Sequence, residues 1–144
     1  MDRNLRREII IDNYQNPFHK GLVEDHHCEY IRNNTNSQSC IDNVDIMYKI
    51  KDGMIEDIYF DGEACAISTS ATSIMIRSLI GKSVEEAWEY LKHYEAMINE
   101  EPYDAAFLGE LNAYDEIYLQ PNRKKCALLP FESLKRALKD ASHE

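Results

Sequence analysis

Asp61-Gly62-Glu63-Ala64-Cys65-Ala66-Ile67-Ser68-Thr69-Ser70 is the stretch that decides how this chain folds. Before it, Met54 to Phe60 has the pattern of a strand; after it, Ser68 to Ile80 reads as an apolar helix closed by Gly81. Cys65 therefore sits where a strand hands over to a helix. Unpaired N–H groups and the positive end of the helix dipole meet there and favour a thiolate, the form that sulfur chemistry and soft metals both require. A lone cysteine at such a junction is more often a small buried hydrophobe. The other cysteines decide which reading to follow.

Working outward, the segment ahead of the strand alternates. Val44, Ile46, Tyr48 and Ile50 take turns with Asp45, Met47, Lys49 and Lys51, the period of a half-buried strand. Asp52-Gly53 then supplies a strong hairpin signal. Farther upstream, Asn33 to Asn43 is polar and turn-rich, with the beginning of a strand expected at Tyr30 to Arg32. Phe18 to Glu29 is a loop containing His19, His26, His27 and Cys28; among Glu24, Asp25 and Glu29 it reads as solvated rather than as a metal cluster. Asp2 to Gln15 opens the chain as a helix, with Leu5, Ile9, Ile10 and Tyr14 in one stripe. Asn16-Pro17 ends it, since the residue before proline is pushed out of the α region.

Downstream, Ser83-Val84-Glu85-Glu86 is a capping box that starts an amphipathic helix running to about Glu100. One or two further helices are expected over Asp104 to Leu119, irregular near Gly109. Pro121 to Lys125 reads as an extended basic connector, and Cys126 as the opening of the last helix, with Pro130 acceptable only in its first turn. Helix, strands, then helices imply an α+β domain over residues 1–144, with helices packed on one face of a small antiparallel sheet.

Composition narrows the function classes. Sixteen basic against 26 acidic residues give a net charge of −10, which opposes binding to nucleic acid or an anionic membrane. The apolar runs are too short for a transmembrane span, and the N-terminus lacks the apolar core of a signal peptide, so a cytoplasmic protein is expected. The four cysteines, Cys28, Cys40, Cys65 and Cys126, form no CxxC pair. Three of them share one setting: Cys40 precedes a strand, Cys65 follows one, and Cys126 precedes a helix. Such ends can gather at one edge of a sheet. With Asp42, two residues from Cys40, they make three thiolates and a carboxylate, a four-coordinate set suited to zinc.

These residues resemble the SufU/IscU/NifU-type iron–sulfur assembly proteins over essentially the whole chain. Leu5 to Pro17 is similar to that family's opening helix and its closing Asn-Pro. Cys40-Ile41-Asp42 resembles its Cys-Gly-Asp, and Gly62-Glu63-Ala64-Cys65-Ala66-Ile67-Ser68 its Gly-Glu-Gly-Cys-Ser-Ile-Ser. Arg123-Lys124-Lys125-Cys126-Ala127-Leu128-Leu129 resembles its Arg-x-Lys-Cys-Ala-Thr-Leu. Lys125, where IscU-type scaffolds carry histidine, and the long interval from Cys65 to Cys126 point to the SufU branch. Ile41 and Ala64 stand where the family has glycine, and Ser37-Gln38-Ser39 where it has Asn-Pro-Thr.

The resemblance implies a SufE/NifU-like fold with a three-stranded sheet and a zinc site of Cys40, Asp42, Cys65 and Cys126. Cys40 would accept persulfide sulfur from a SufS-type cysteine desulfurase and pass it to downstream iron–sulfur assembly proteins. Arg123 and Lys125 would flank the site. Two alternatives follow from the same residues: a scaffold on which an iron–sulfur cluster is built, and a non-catalytic adaptor for the desulfurase.

Overall fold

A computed structural model describes residues 1–37 and 41–142. Its centre is a three-stranded antiparallel sheet of β1 (Ile31–Asn36), β2 (Asn43–Lys51) and β3 (Met54–Glu63), in the order β1-β2-β3. Asp52 and Gly53 join β2 to β3 with both φ angles positive, +53° and +75°, the two left-handed positions that this dipeptide suits. Val44, Ile46 and Tyr48 of β2 and Ile58 and Phe60 of β3 are buried against the helices. Met47 departs from the expected alternation. It lies on the other face between its register partners Arg32 and Tyr59, and is buried there.

Around the sheet run α1 (Arg3–Gln15), α2 (Ala66–Leu79), α3 (Val84–Ile98), the single turn α4 (Ala105–Leu108) and α5 (Pro121–Ser142). Two 3-10 segments, Gly109–Tyr114 and Ile117–Leu119, lead into α5. The capping box forms as read: the Ser83 hydroxyl accepts from the Glu86 N–H, and the Glu86 carboxylate from the Ser83 N–H. Helix α2 is buried along nearly its whole length and is rich in hydroxyls. Its Ser73 donates to Asn13 of α1 at 2.7 Å, and its Ser70 lies 2.6 Å from the Tyr114 hydroxyl. In α1, Ile9 and Ile10 pack on the core, whereas Leu5 and Tyr14 of the expected stripe are exposed. No helix of the described residues is long and apolar enough to cross a membrane.

Two segments differ from the sequence reading. Asn33 to Asn36 form a strand, not a turn, because their side chains find partners that a solvated loop would not offer. Asn33 donates to the Ser133 carbonyl and Thr35 to the Leu129 carbonyl, both on α5, while Asn34 donates to Asn43 and Asp45 across the sheet. Pro121 to Lys125 are helical. Pro121 takes the first position of α5, where a missing N–H costs nothing, and Pro130 lies in the helix interior. An interior proline cannot donate to the carbonyl four residues back, here that of Cys126. That carbonyl takes a hydrogen bond from the Ser68 hydroxyl instead, at 3.0 Å.

Candidate metal centre

Three elements deliver donor atoms to one point. Asp42 leads into β2 and is 1% exposed. Its backbone carbonyl accepts the Ser37 N–H at 3.0 Å, tying the end of β1 to the start of β2. Cys65 is the N-cap of α2, extended at φ −68°, ψ 170°, and its sulfur accepts the Ser68 N–H at 3.5 Å. The strand-to-helix junction read from the sequence is thus present, with the thiol in the capping role that serine or aspartate usually fills. Cys126 is buried in the second turn of α5, its Sγ 3.9 Å from the Asn122 carbonyl.

The ligand atoms of Asp42, Cys65 and Cys126 all lie within 4.8 Å of one another, the one such group among the described residues. A tetrahedral zinc ion with Zn–S bonds of about 2.3 Å places two sulfurs about 3.8 Å apart, so small side-chain rotations bring these donors into range. Two thiols and a carboxylate also suit zinc chemically, as soft and hard ligands that leave one corner of a tetrahedron open. Cys40, the fourth expected ligand, lies outside the described residues. The loop cluster does not assemble: His19 stacks between Phe18 and Tyr59, and His26 pairs with Glu24 at 2.7 Å.

Hydrogen bonds hold the three donors in register. Asp42 Oδ1 accepts the Cys65 N–H at 2.7 Å, and Oδ2 accepts the Ser68 hydroxyl at 2.8 Å. The Cys65 thiol sits 3.8 Å from Asp42 Oδ2 and 3.6 Å from Ser68 Oγ. Burial is the strongest single influence on Asp42 and opposes its ionisation. The Cys65 N–H, the Ser68 hydroxyl and the thiols of Cys126 and Cys65 together outweigh it and hold the carboxyl below the usual range. Cys126 is driven the other way. Burial pushes its thiol far above the ordinary range, and the neighbouring Cys65 and then Asp42 add to this. Such a thiol gives up its proton to a metal ion rather than to water, so loading the site releases protons.

Ser68, which the sequence reading did not single out, is the side chain that joins these residues. Its signal was a serine three residues after an N-cap cysteine, paired with a proline four residues after Cys126. Arg123 and Lys125, expected to flank the centre, are exposed near the start of α5 and make no ion pair with any described residue. Helical spacing sets Arg123 on the Cys126 side of α5 and Lys125 about 100° round from it. Ala64 does not have the positive φ that would call for the glycine it replaces.

Comparison with known proteins gives concordant results. The family described as NifU-like N terminal domain matches residues 5–142. The zinc-dependent sulfurtransferase SufU of Bacillus subtilis is 32% identical over 135 residues, spanning 93% of this chain and 89% of that protein. The iron–sulfur cluster assembly scaffold protein IscU of Thermotoga maritima is also 32% identical over 135 residues, spanning 94% and 93%. Among solved structures, the putative iron–sulfur cluster assembly scaffold protein for the SUF system of Fervidobacterium islandicum superposes with a TM-score of 0.80 at 31% identity. That match covers 95% of this chain and 99% of its counterpart.

Proposed function

The chain belongs to the NifU-like N-terminal domain family, and from that premise we propose that it is a zinc-dependent sulfur-transfer protein of iron–sulfur cluster assembly. The observation that carries this reading is the convergence of Asp42, Cys65 and Cys126 from three elements. In the proposal residues 1–144 act as one domain, in the cytoplasm, and Cys40 completes the ligand set. The likeness to SufU and the lysine at position 125 favour transfer.

Zinc, when bound, would keep the thiols deprotonated and shielded from oxidation. The chain's own residues do the rest. Asp42 and Cys65 are already locked together by the 2.7 Å hydrogen bond from the Cys65 N–H to the Asp42 carboxylate, so two of the ligands are held in advance. Cys40 acts as nucleophile: its thiolate attacks the outer sulfur of a persulfide on a SufS-type cysteine desulfurase. A new Cys40 S–S bond forms, the desulfurase S–S bond breaks, and the desulfurase cysteine leaves as thiolate, with no external oxidant. Arg123 and Lys125 lend positive charge beside an anionic ligand set and present it to the partner. The sulfur then passes to downstream iron–sulfur assembly proteins.

The test mixes zinc-loaded protein with the cognate desulfurase and cysteine. Faster desulfurase turnover with persulfide on this chain is the expected result; unchanged turnover points to an adaptor. The similarity to IscU supports one alternative, a scaffold for an iron–sulfur cluster. Absorbance of anaerobically purified protein separates the two. A colourless protein with stoichiometric zinc supports transfer, and a reconstituted cluster that can be handed to an apo-protein supports scaffolding.

A further inference from the structure

Ser68 touches all three donor-bearing residues at once, Cys126 through its backbone carbonyl. Its Oγ is 2.8 Å from Asp42 Oδ2, 3.0 Å from the Cys126 carbonyl and 3.6 Å from the Cys65 sulfur, and its N–H caps that same sulfur. It is fully buried. A hydroxyl has one hydrogen to donate and two lone pairs to accept with. Here that hydrogen faces two acceptors on different elements, the Asp42 carboxylate and the Cys126 carbonyl. In an uninterrupted helix the second acceptor would be taken by the N–H of residue 130. Pro130 has no such N–H, and this is what leaves the carbonyl to Ser68.

We propose that Ser68 is the positioning residue of the metal centre, and that Pro130 supplies the second acceptor that lets it hold Asp42 and Cys126 together in both the empty and the loaded state. The inference rests on the zinc reading above. With the site empty, the hydrogen is shared between Asp42 Oδ2 at 2.8 Å and the Cys126 carbonyl at 3.0 Å. A carboxylate oxygen engaged by a divalent ion is a poorer acceptor. On loading, the hydrogen turns about the Cβ–Oγ bond to the Cys126 carbonyl, and no buried group loses its partner. Without Ser68, Asp42 keeps its bond to the Cys65 N–H but Oδ2 is left with only weak thiol contacts, and the ligand-bearing turn of α5 loses its tie to α2.

Zinc affinity, measured by competition with a chromophoric chelator, and melting of the metal-free protein are read on wild type, Ser68→Ala and Ser68→Ala/Pro130→Ala. Loss of a hydrogen bond that orients a metal ligand typically weakens affinity about 10- to 100-fold, and that loss is expected for Ser68→Ala. The double variant is the discriminating arm. Its residue 130 N–H can satisfy the Cys126 carbonyl, so metal-free stability should recover while the affinity loss remains. It also carries the test if Ser68→Ala alone is too unstable to purify. Zinc affinity within a few-fold of wild type in either variant overturns the proposal, as does affinity that recovers in step with stability, which is the signature of a merely structural serine. A wild-type chain that takes up no zinc refutes the underlying zinc reading itself, a result distinct from either of these.

Discussion

Gly62→Ala tests whether the junction between β3 and Cys65 sets the geometry of the metal centre. Gly62 pairs with Val44, two residues past Asp42, and lies three residues before Cys65. Its φ is +136°, and a Cβ built there would collide with the Asn43 carbonyl oxygen while standing 3.0 Å from Val44 Cα and 3.2 Å from Asn43 C. All three atoms are backbone, so no side chain can swing away and the strands must part. The forced φ alone costs about 1–3 kcal/mol. Overpacking of this kind adds about 1–3 kcal/mol. Gly81→Ala isolates the first effect, because Gly81 has a φ of +88° but nothing within 4 Å of its Cβ position. The two variants should therefore differ by about 1–3 kcal/mol. At roughly 3 °C per kcal/mol for a chain of this size, that is a gap of about 3–9 °C in melting temperature. Circular dichroism melts measure the gap, and atomic absorption measures bound zinc. Gly62→Ala should also lose zinc, since parting β2 from β3 pulls Asp42 away from Cys65, whereas Gly81→Ala should keep it. Coincident melts and full zinc in both variants would refute the reasoning.

Three further outcomes follow from the zinc reading. Removing the metal with a strong chelator should lower the melting temperature: free zinc at a thousand times the dissociation constant contributes about 4 kcal/mol, or roughly 12 °C at the same scale, and an unchanged melt after verified metal loss would contradict this. Arg123→Glu, at an exposed site without an ion pair among the described residues, should weaken desulfurase stimulation more than zinc binding; stimulation assays and metal analysis on the same sample decide it. Cys40→Ser should fold yet carry no persulfide, while Cys65→Ser and Cys126→Ser lose metal and stability. Mass spectrometry after reaction with desulfurase and cysteine locates the sulfur, and finding it on Cys65 or Cys126 would overturn the assignment.

The features legible in the sequence are those whose causes are local. Asp52-Gly53 dictates its own turn, Ser83 and Glu86 cap each other, and the end of the strand at Glu63 leaves Cys65 at a helix start. The misread segments have partners far along the chain. Asn33 and Thr35 look like turn formers until Ser133 and Leu129, about a hundred residues away, offer them carbonyls. Pro130 looks like a helix boundary until Ser68 takes over the carbonyl it deprives. The same limit applied to the site. Cys65 and Cys126 could be named as candidate ligands one by one, and Asp42 by its place next to Cys40, but the serine joining them becomes visible only when α2 and α5 lie side by side.

The wide spacing of the donors along the chain also bears on the order of events as it folds. Asp42 and Cys65 are 23 residues apart and meet as soon as the β2–β3 hairpin and the start of α2 are in place. Cys126 joins them only when α5 docks, across the 58 residues that separate it from Ser68. Until then, in the zinc reading, an unfinished molecule offers Cys40, Asp42 and Cys65 and is one thiolate short of the full set. In the zinc reading the fourth ligand therefore arrives with the last helix, and full-strength metal retention would separate completed molecules from arrested ones.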